Sequence, residues 1–318
     1  MMLPCSVKMD LPFANRSTIR IRGVYFTMIE KIRSGLCLTR ELILRAEGKS
    51  PHVLDTLSSL KILSNSTLSL SRYGDGEFKL IAGESLTFQP FDRGLQQRLS
   101  SILSKPQSVS YRVAIPYAMH SVKGLTLRSS KFWLCHCNEI RKTVYPLLDA
   151  EYQYLDSQVS RFYINRRDRS LSSAYLSAWQ ALWKEKDILL IEGAETRFGA
   201  GNDLLDGANS IKRILCPSVD AWARYSDILA STLKHSASCD LVLLALGPTA
   251  TVLAYDLSQN GIRAIDSGNL DMEYEWMKRG SRNQVAVEGK YTMEAIGGTQ
   301  VTACKDERYE SQIIEAIF

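Results

Sequence analysis

The sequence predicts an α/β fold: a Rossmann-like, mostly parallel sheet with helices on both faces. Three stretches predict it. Residues 240–266, DLVLLALGPTATVLAYDLSQNGIRAID, read as strand, turn, helix and strand, the β-loop-α-β pattern of a parallel sheet. DILLIEG (187–193) is a continuous apolar strand of the kind buried on both faces, directly after an amphipathic helix at 171–186. TLSLSRYGDGEF (67–78) alternates as a strand and then breaks at Gly74 and Gly76 into a short helix.

Along the chain, residues 24–64 read as helical, with Gly35, Gly48 and Pro51 as punctuation. FDRGLQQRLSSILSK (91–105) is an amphipathic helix that buries Leu95, Leu99, Ile102 and Leu103. SVSYRVAIP is a strand, and Tyr175, Trp179, Leu182 and Trp183 form the core stripe of the 171–186 helix. IKRILCP is a further strand, and ERYESQIIEAIF closes the chain as an amphipathic helix. Residues 1–59 are expected to form a partly helical N-terminal extension, and 60–318 the main domain.

Composition narrows the function. The 318 residues are 45% hydrophobic and 23% charged, with a net charge of +5. That mild, dispersed excess suits an acidic small ligand and argues against nucleic acid. No apolar run approaches the roughly 20 residues of a membrane span, and the N-terminus lacks the continuous apolar segment of a secretory signal. Seven widely spaced cysteines predict a reducing, cytoplasmic setting without a disulfide framework. Cys135-His136-Cys137 has no second ligand pair at zinc spacing and reads as a semi-buried strand or helix segment.

Four stretches could carry chemistry. Asp75 and Glu77, two residues apart on a glycine turn, could hold Mg²⁺ or Mn²⁺ against a phosphate, with Arg72 nearby to pair with a phosphate oxygen. Asp-Gly is also a common turn without a ligand. Gly247, Pro248 and Thr249 open a helix after a strand, a phosphate-binding arrangement or a plain N-cap. Asp266, Asp271 and Glu273 follow a strand and could include a general base, or form a solvated acidic loop. Arg197, among glycines, could clamp a pyrophosphate; Asn202 or Asp203 could cap a helix there. There is no P-loop, no GxGxxG, no HExxH and no GxSxG.

RYGDGEF, FQPFDRGLQQRL, TRFGAGNDLLDGANSIKRILCP and LGPTATVLAYDLSQNGIRAIDSGNLDMEYEW, in that order, together resemble the GT-D-type glycosyltransferases. These are bacterial enzymes that include the glucosyltransferase domain acting on serine-rich-repeat adhesins. The similarity runs from about Leu60 onward. It implies a metal-dependent transfer of a sugar, glucose among the candidates, from a UDP-linked donor to a glycan or glycoprotein hydroxyl at the bacterial cell surface. In that family an Asp-x-Glu motif serves metal and donor, and it falls here on Asp75 and Glu77. Arg72, Tyr73, Gly74, Arg197, Gly247, Pro248, Thr249 and Asp266 are then expected around the donor, with Mn²⁺ or Mg²⁺ as cofactor and Asp271 or Glu273 as base. Family members often carry His where this chain has Asn269; proton transfer there would be lost and hydrogen bonding kept. The expected place is cytoplasmic, with a peripheral position at the inner face of the membrane left open. The competing readings are a non-catalytic nucleotide-sugar-binding module and a metal-dependent phosphoesterase.

Overall fold

The computed structural model describes residues 35–303 and 306–318. Among them a first helix, α1, covers residues 35–46. There follow β1 (His52–Val53), α2 (Thr56–Ser64), β2 (Ser69–Arg72), α3 (Asp75–Ile81), α4 (Arg93–Leu103), β3 (Gln107–Ser108), β4 (Tyr111–Ile115) and α5 (Leu127–Ile140). The second half comprises β5 (Gln153–Asp156), α6 (Ser172–Trp183), β6 (Asp187–Gly193), β7 (Ser210–Cys216), α7 (Tyr225–Ser236), β8 (Leu241–Ala245), α8 (Pro248–Gln259), β9 (Ala264–Asp266), α9 (Leu270–Lys278), α10 (Glu307–Ser311) and β10 (Ile313–Ala316).

The strands form one sheet in the order β1-β5-β4-β2-β9-β8-β6-β7-β10, with β3 paired to β4. Of the strand pairs in this sheet among the described residues, only β3–β4 is antiparallel. From β2 the chain winds outward through β4 and β5; in the second half β7 is laid outside β6, β8 and β9 then fill the gap toward β2, where β9 pairs at Leu70–Ile265, and β10 forms the far edge. The order therefore reverses between β2 and β9. In an open α/β sheet the crevice at the carboxyl ends of such strands is where ligands bind.

Alternation within the strands builds both faces. Ile188, Leu190, Leu241, Leu243 and Ile265 pack with Leu60, Trp179, Trp183 and Trp276 of α2, α6 and α9. Their neighbours Leu189, Ile191, Val242 and Leu244 pack on α7 and α8. A third cluster joins α3, α4 and α5 to β4. The doubly covered parallel sheet is as the sequence predicts, and Leu95, Leu99, Ile102 and Leu103 are buried as expected.

Three local expectations change. The last helix is short, because the β-branched pair at Ile313 and Ile314 instead forms β10 and pairs parallel with β7. The 24–64 helical stretch is interrupted: after α1, His52–Val53 pairs with β5, and Asp55 caps α2 through Ser58 N at 3.0 Å. Residues 24–34 lie outside the described residues. Residues 270–278, read as an acidic stretch after a strand, form α9, with Asp271, Glu273 and Glu275 buried. Cys135, His136 and Cys137 lie on α5. Among the described residues, no helix is long and apolar enough to cross a membrane.

Trp179 ties α6 to the sheet. It is fully buried, and its Nε1–H donates to Val159 O at 2.9 Å. Trp179→Ala should cost about 3–5 kcal/mol, visible as a lower urea midpoint with little change in slope.

Candidate functional site at the carboxyl ends of β2 and β9

Arg72 is the last residue of β2, and it braces three segments. Its Nε donates to Asp266 O at 2.9 Å and its Nη1 to Ser157 O at 2.7 Å. Its Nη2 lies 3.3 Å from Asp266 Oδ1. The carbonyl of Arg72 accepts from Thr251 Oγ1 at 2.9 Å, and the same hydroxyl lies 3.4 Å from Asp266 Oδ2. The guanidinium leaves no room for a side chain at residue 268. A Cβ there would lie 1.8 Å from Nη2, and Gly268 has a φ of +49°.

α3 begins immediately after β2, with Gly74 as its N-cap. Asp75 and Glu77 are therefore the first and third helical residues. Side chains two apart on a helix do not share a face, and the two acids part. Glu77 turns back, and its Oε2 accepts from Gly74 N at 2.6 Å. Burial, then the nearby Asp266 carboxylate, push Glu77 up to about 7. Burial raises Asp266 as well, against the pull of Arg72. Asp75 is half exposed and sits 3.7 Å from Lys79 Nζ. Asp266 is thus the acid whose charge bears on Glu77, while Asp75 pairs with Lys79.

The other expected residues divide. Gly247, Pro248 and Thr249 lead into α8, whose Thr251 reaches Arg72 and Asp266. Gly247 has a φ of +54°, and a Cβ there would meet the Phe88 ring at 3.0 Å. Thr249 is fully buried, and its Oγ1 has no hydrogen-bond partner. Tyr73 points away from the crevice. Its ring is buried and stacks with Phe78, and its hydroxyl donates to Leu99 O at 2.8 Å, so it is a core strut rather than a ligand contact. Arg197 donates through Nη1 to Gly289 O at 2.8 Å and Thr302 O at 2.7 Å, fastening the segment after α9.

Asp271 and Glu273, the expected bases, are both buried and bonded to neighbouring groups. Asp271 accepts from Asn202 Nδ2 at 2.8 Å and from the buried Lys290 Nζ at 2.5 Å. Glu273 Oε2 accepts from Tyr163 N at 2.7 Å and Ile164 N at 2.9 Å. Both carboxylates are shut inside, so neither is open to an acceptor hydroxyl.

Arg161 and Glu294 complete the crevice. Arg161 pairs with Glu294, which also accepts from Asn269 Nδ2 and, at 2.7 Å, from Gln284 Nε2. Burial opposes the charge on Arg161, but Glu294, Glu273 and Asp75 together hold its pKa above the ordinary arginine value. Asn269 thus acts as a hydrogen-bond donor. Neither Arg161 nor Glu294 lies in a stretch that the sequence marks for chemistry, because their partners are distant in the chain.

Around the crevice, four carboxylates (Asp75, Glu77, Asp266 and Glu294) stand with two guanidiniums, those of Arg72 and Arg161, and the Lys79 ammonium beside Asp75. Among the described residues, no three His, Cys, Asp or Glu side chains form a metal cage by themselves. A hard divalent cation completed by diphosphate and water needs only one or two carboxylates. The oxygen-only, under-neutralised pair Glu77–Asp266 fits that requirement.

A family model described as "Glycosyltransferase GT-D fold" matches residues 70–295. The chain belongs to this family, and with it to the glycosyltransferases. The GT-D match spans both halves of the crevice, from β2 to Glu294. The chain is 35% identical over 268 residues to the probable glycosyl transferase Gly of Streptococcus gordonii, covering 84% of this chain and 39% of that one. It is 37% identical over 249 residues to the glycosyltransferase GlyD of Streptococcus pneumoniae serotype 4, covering 78% and 30%. The chain thus spans well under half the length of both relatives. A solved domain of unknown function 1792, described as having a distinct glycosyltransferase fold, superposes with a TM-score of 0.83 at 35% identity. It covers 87% of this chain and all of that one.

Two measurements test the geometry. Gly268→Ala forces a side chain onto Arg72 at a positive φ. It should destabilise the GT-D domain by at least roughly 1–3 kcal/mol, read by thermal or urea unfolding. Burial raises Glu273 from 4.5 to about 7. The folded state therefore holds a proton that the unfolded chain releases, and stability falls as pH rises from about 4.5 to 7. The shift corresponds to roughly 3 kcal/mol at most. Glu273→Gln cannot titrate, so it should gain stability relative to the native chain between pH 5 and 8; parallel profiles for the two proteins would contradict the assignment.

Proposed function

We propose that this GT-D chain is a metal-dependent hexosyltransferase. It moves a sugar, with glucose as first candidate, from a UDP-linked donor to a hydroxyl of a glycan or glycoprotein acceptor of the bacterial cell surface. The single observation behind this reading is the Glu77–Asp266 pair beside Arg72 at the sheet's reversal point, with Asp75 on the rim. A crevice with more carboxylates than guanidiniums repels a diphosphate unless a cation comes with it. We assign Mn²⁺ or Mg²⁺ to Glu77, with Asp75 and Asp266 as its neighbours; bound there, the ion would supply positive charge against the leaving diphosphate. We place the reaction in the cytoplasm, on the wide spacing of the cysteines.

The chain's own residues have distinct tasks in this reading. Arg72 fixes Asp266 and, through it, the spacing between β2 and β9. Gly74 N holds the Glu77 carboxylate through Oε2. Arg161, at the mouth, adds positive charge where negative charge grows as the sugar–phosphate bond breaks. The bond from the anomeric carbon to the diphosphate oxygen breaks, one to the acceptor oxygen forms, and the acceptor proton leaves. With Asp271 and Glu273 sealed inside, the half-exposed Asp75 is the acid that can reach an acceptor.

A panel of nucleotide sugars, tested for donor hydrolysis and transfer, examines this. Activity should be lost with EDTA and restored by Mn²⁺ or Mg²⁺. Glu77→Gln and Asp75→Asn should each lower kcat by about 10²–10³-fold while leaving the unfolding midpoint nearly unchanged. Full activity in both variants, or turnover indifferent to EDTA, would end the assignment. Saturable UDP binding without turnover would mark a binding module, and release of phosphate from simple esters a phosphoesterase.

A further inference from the structure

We infer that the shelf formed by the amino end of α5 and the loop after β5 docks on an anionic phospholipid bilayer. Residues 116–138 hold three Lys or Arg and no acid; residues 157–171 hold four Arg and one acid, Asp168. Three of these seven cations are engaged in the fold. Arg161 pairs with Glu294, Arg166 donates to Thr56 and lies 3.8 Å from Asp156, and Arg169 Nη1 donates to Ser281 O at 2.8 Å. The other four, Lys123, Arg128, Lys131 and Arg167, are exposed.

The backbone gathers these four. Arg167 N donates to Gly124 O at 2.9 Å, and Leu125 bridges Arg166 antiparallel, so Lys123 and Arg167 stand on adjoining segments. Thr126 N donates to Asn165 O at 2.9 Å, and its Oγ1 accepts from Ser129 N as the cap of α5. These bonds fix the first turns of the helix, where Arg128 and Lys131, three residues apart, share a side. Leu127 on the same turn is 86% exposed, and Phe132, four residues after Arg128, is 44% exposed. The inner side of α5 is already supplied by Trp133, Leu134, Cys137 and Ile140.

This chemistry selects the occupant. Four clustered cations against one carboxylate attract the headgroups of an anionic leaflet, and apolar side chains among them enter the boundary beneath the headgroups. A soluble polyanion would take the cations and leave Leu127 in water. A second copy of the chain would set like charges face to face. The shelf stands on the segments that leave the carboxyl ends of β4 and β5, the same end of the parallel sheet as Arg72 and Asp266. Docking therefore brings the crevice to the side of the lipid. The inference draws on the shelf alone and holds whatever the donor sugar.

Sedimentation of the full chain with phosphatidylcholine vesicles, with and without phosphatidylglycerol, tests it. The chain should pellet with the anionic vesicles, less so at high salt. Arg128→Glu/Lys131→Glu should weaken that binding by at least roughly tenfold and Leu127→Ser by at least roughly threefold, each with an unchanged melting temperature. Lys105→Glu/Lys184→Glu makes the same change in net charge at exposed positions before β3 and β6, at the opposite end of the sheet. It should bind as the native chain does. Absence of pelleting with either vesicle overturns the inference, as does equal pelleting of the native and Arg128→Glu/Lys131→Glu chains. An equal loss in Lys105→Glu/Lys184→Glu also overturns it, since binding would then follow net charge alone. So does salt-sensitive retention on heparin without vesicle binding, which would assign the shelf to a soluble polyanion.

Discussion

Arg72 holds the two halves of the sheet in register where they meet. β2 and β9 share a single register pair, Leu70–Ile265, too little ladder to fix the crevice by itself. The guanidinium adds bonds to both the backbone and the side chain of Asp266 and to Ser157 after β5. A planar fork with several donors can satisfy all three at once, which an ammonium cannot. Thr251 completes the joint from α8. The demand spreads to the next turn: residue 268 has to be glycine because the guanidinium occupies the place of a Cβ.

Charges buried away from the crevice serve the fold. Lys290 neutralises Asp271 and lies near Glu275, Asn202 bridges both acids, and Arg213 joins Glu192 to Phe198 O and Gln312. Taking such groups out of water costs more than an apolar pair would, and breaking one partner leaves an uncompensated charge. What they gain is definition. The segment after α9 has little regular structure, yet it is pinned by Arg197, Lys290 and Glu294 to three separate elements. It can therefore form one wall of the crevice without a helix of its own.

The crevice itself keeps an excess of negative charge. Glu77 is the clearest sign, because a carboxyl held near neutrality by burial and by Asp266 lacks a sufficient cation. Arg72 is occupied with carbonyls and Arg161 with Glu294, so neither fully supplies it. In the donor site proposed above, a metal ion would supply that missing cation.

The sequence by itself determined the layers and the landmark turn. Period-two alternation at 68–71, the apolar runs at 188–191 and 241–246, and the helix after Gly247 required a doubly covered parallel sheet, since only such a sheet buries both sides of those strands. It also marked Asp75, Glu77 and Asp266 as acids at strand ends, and the order of its blocks marked the family. Tertiary structure decided which acids meet. Asp75 and Glu77 are neighbours in sequence but take different partners on the first turn of α3, Lys79 and the Gly74 amide, whereas Asp266, 189 positions from Glu77 by number, bears on its charge because β2 and β9 are adjacent. Asp271 and Glu273, marked as candidate bases, and Tyr73 are buried among partners such as Lys290 and the Tyr163 amide that no local pattern announces. Local spacing fixes periodicity and turns; the protonation and access of a side chain depend on what the rest of the chain folds against it.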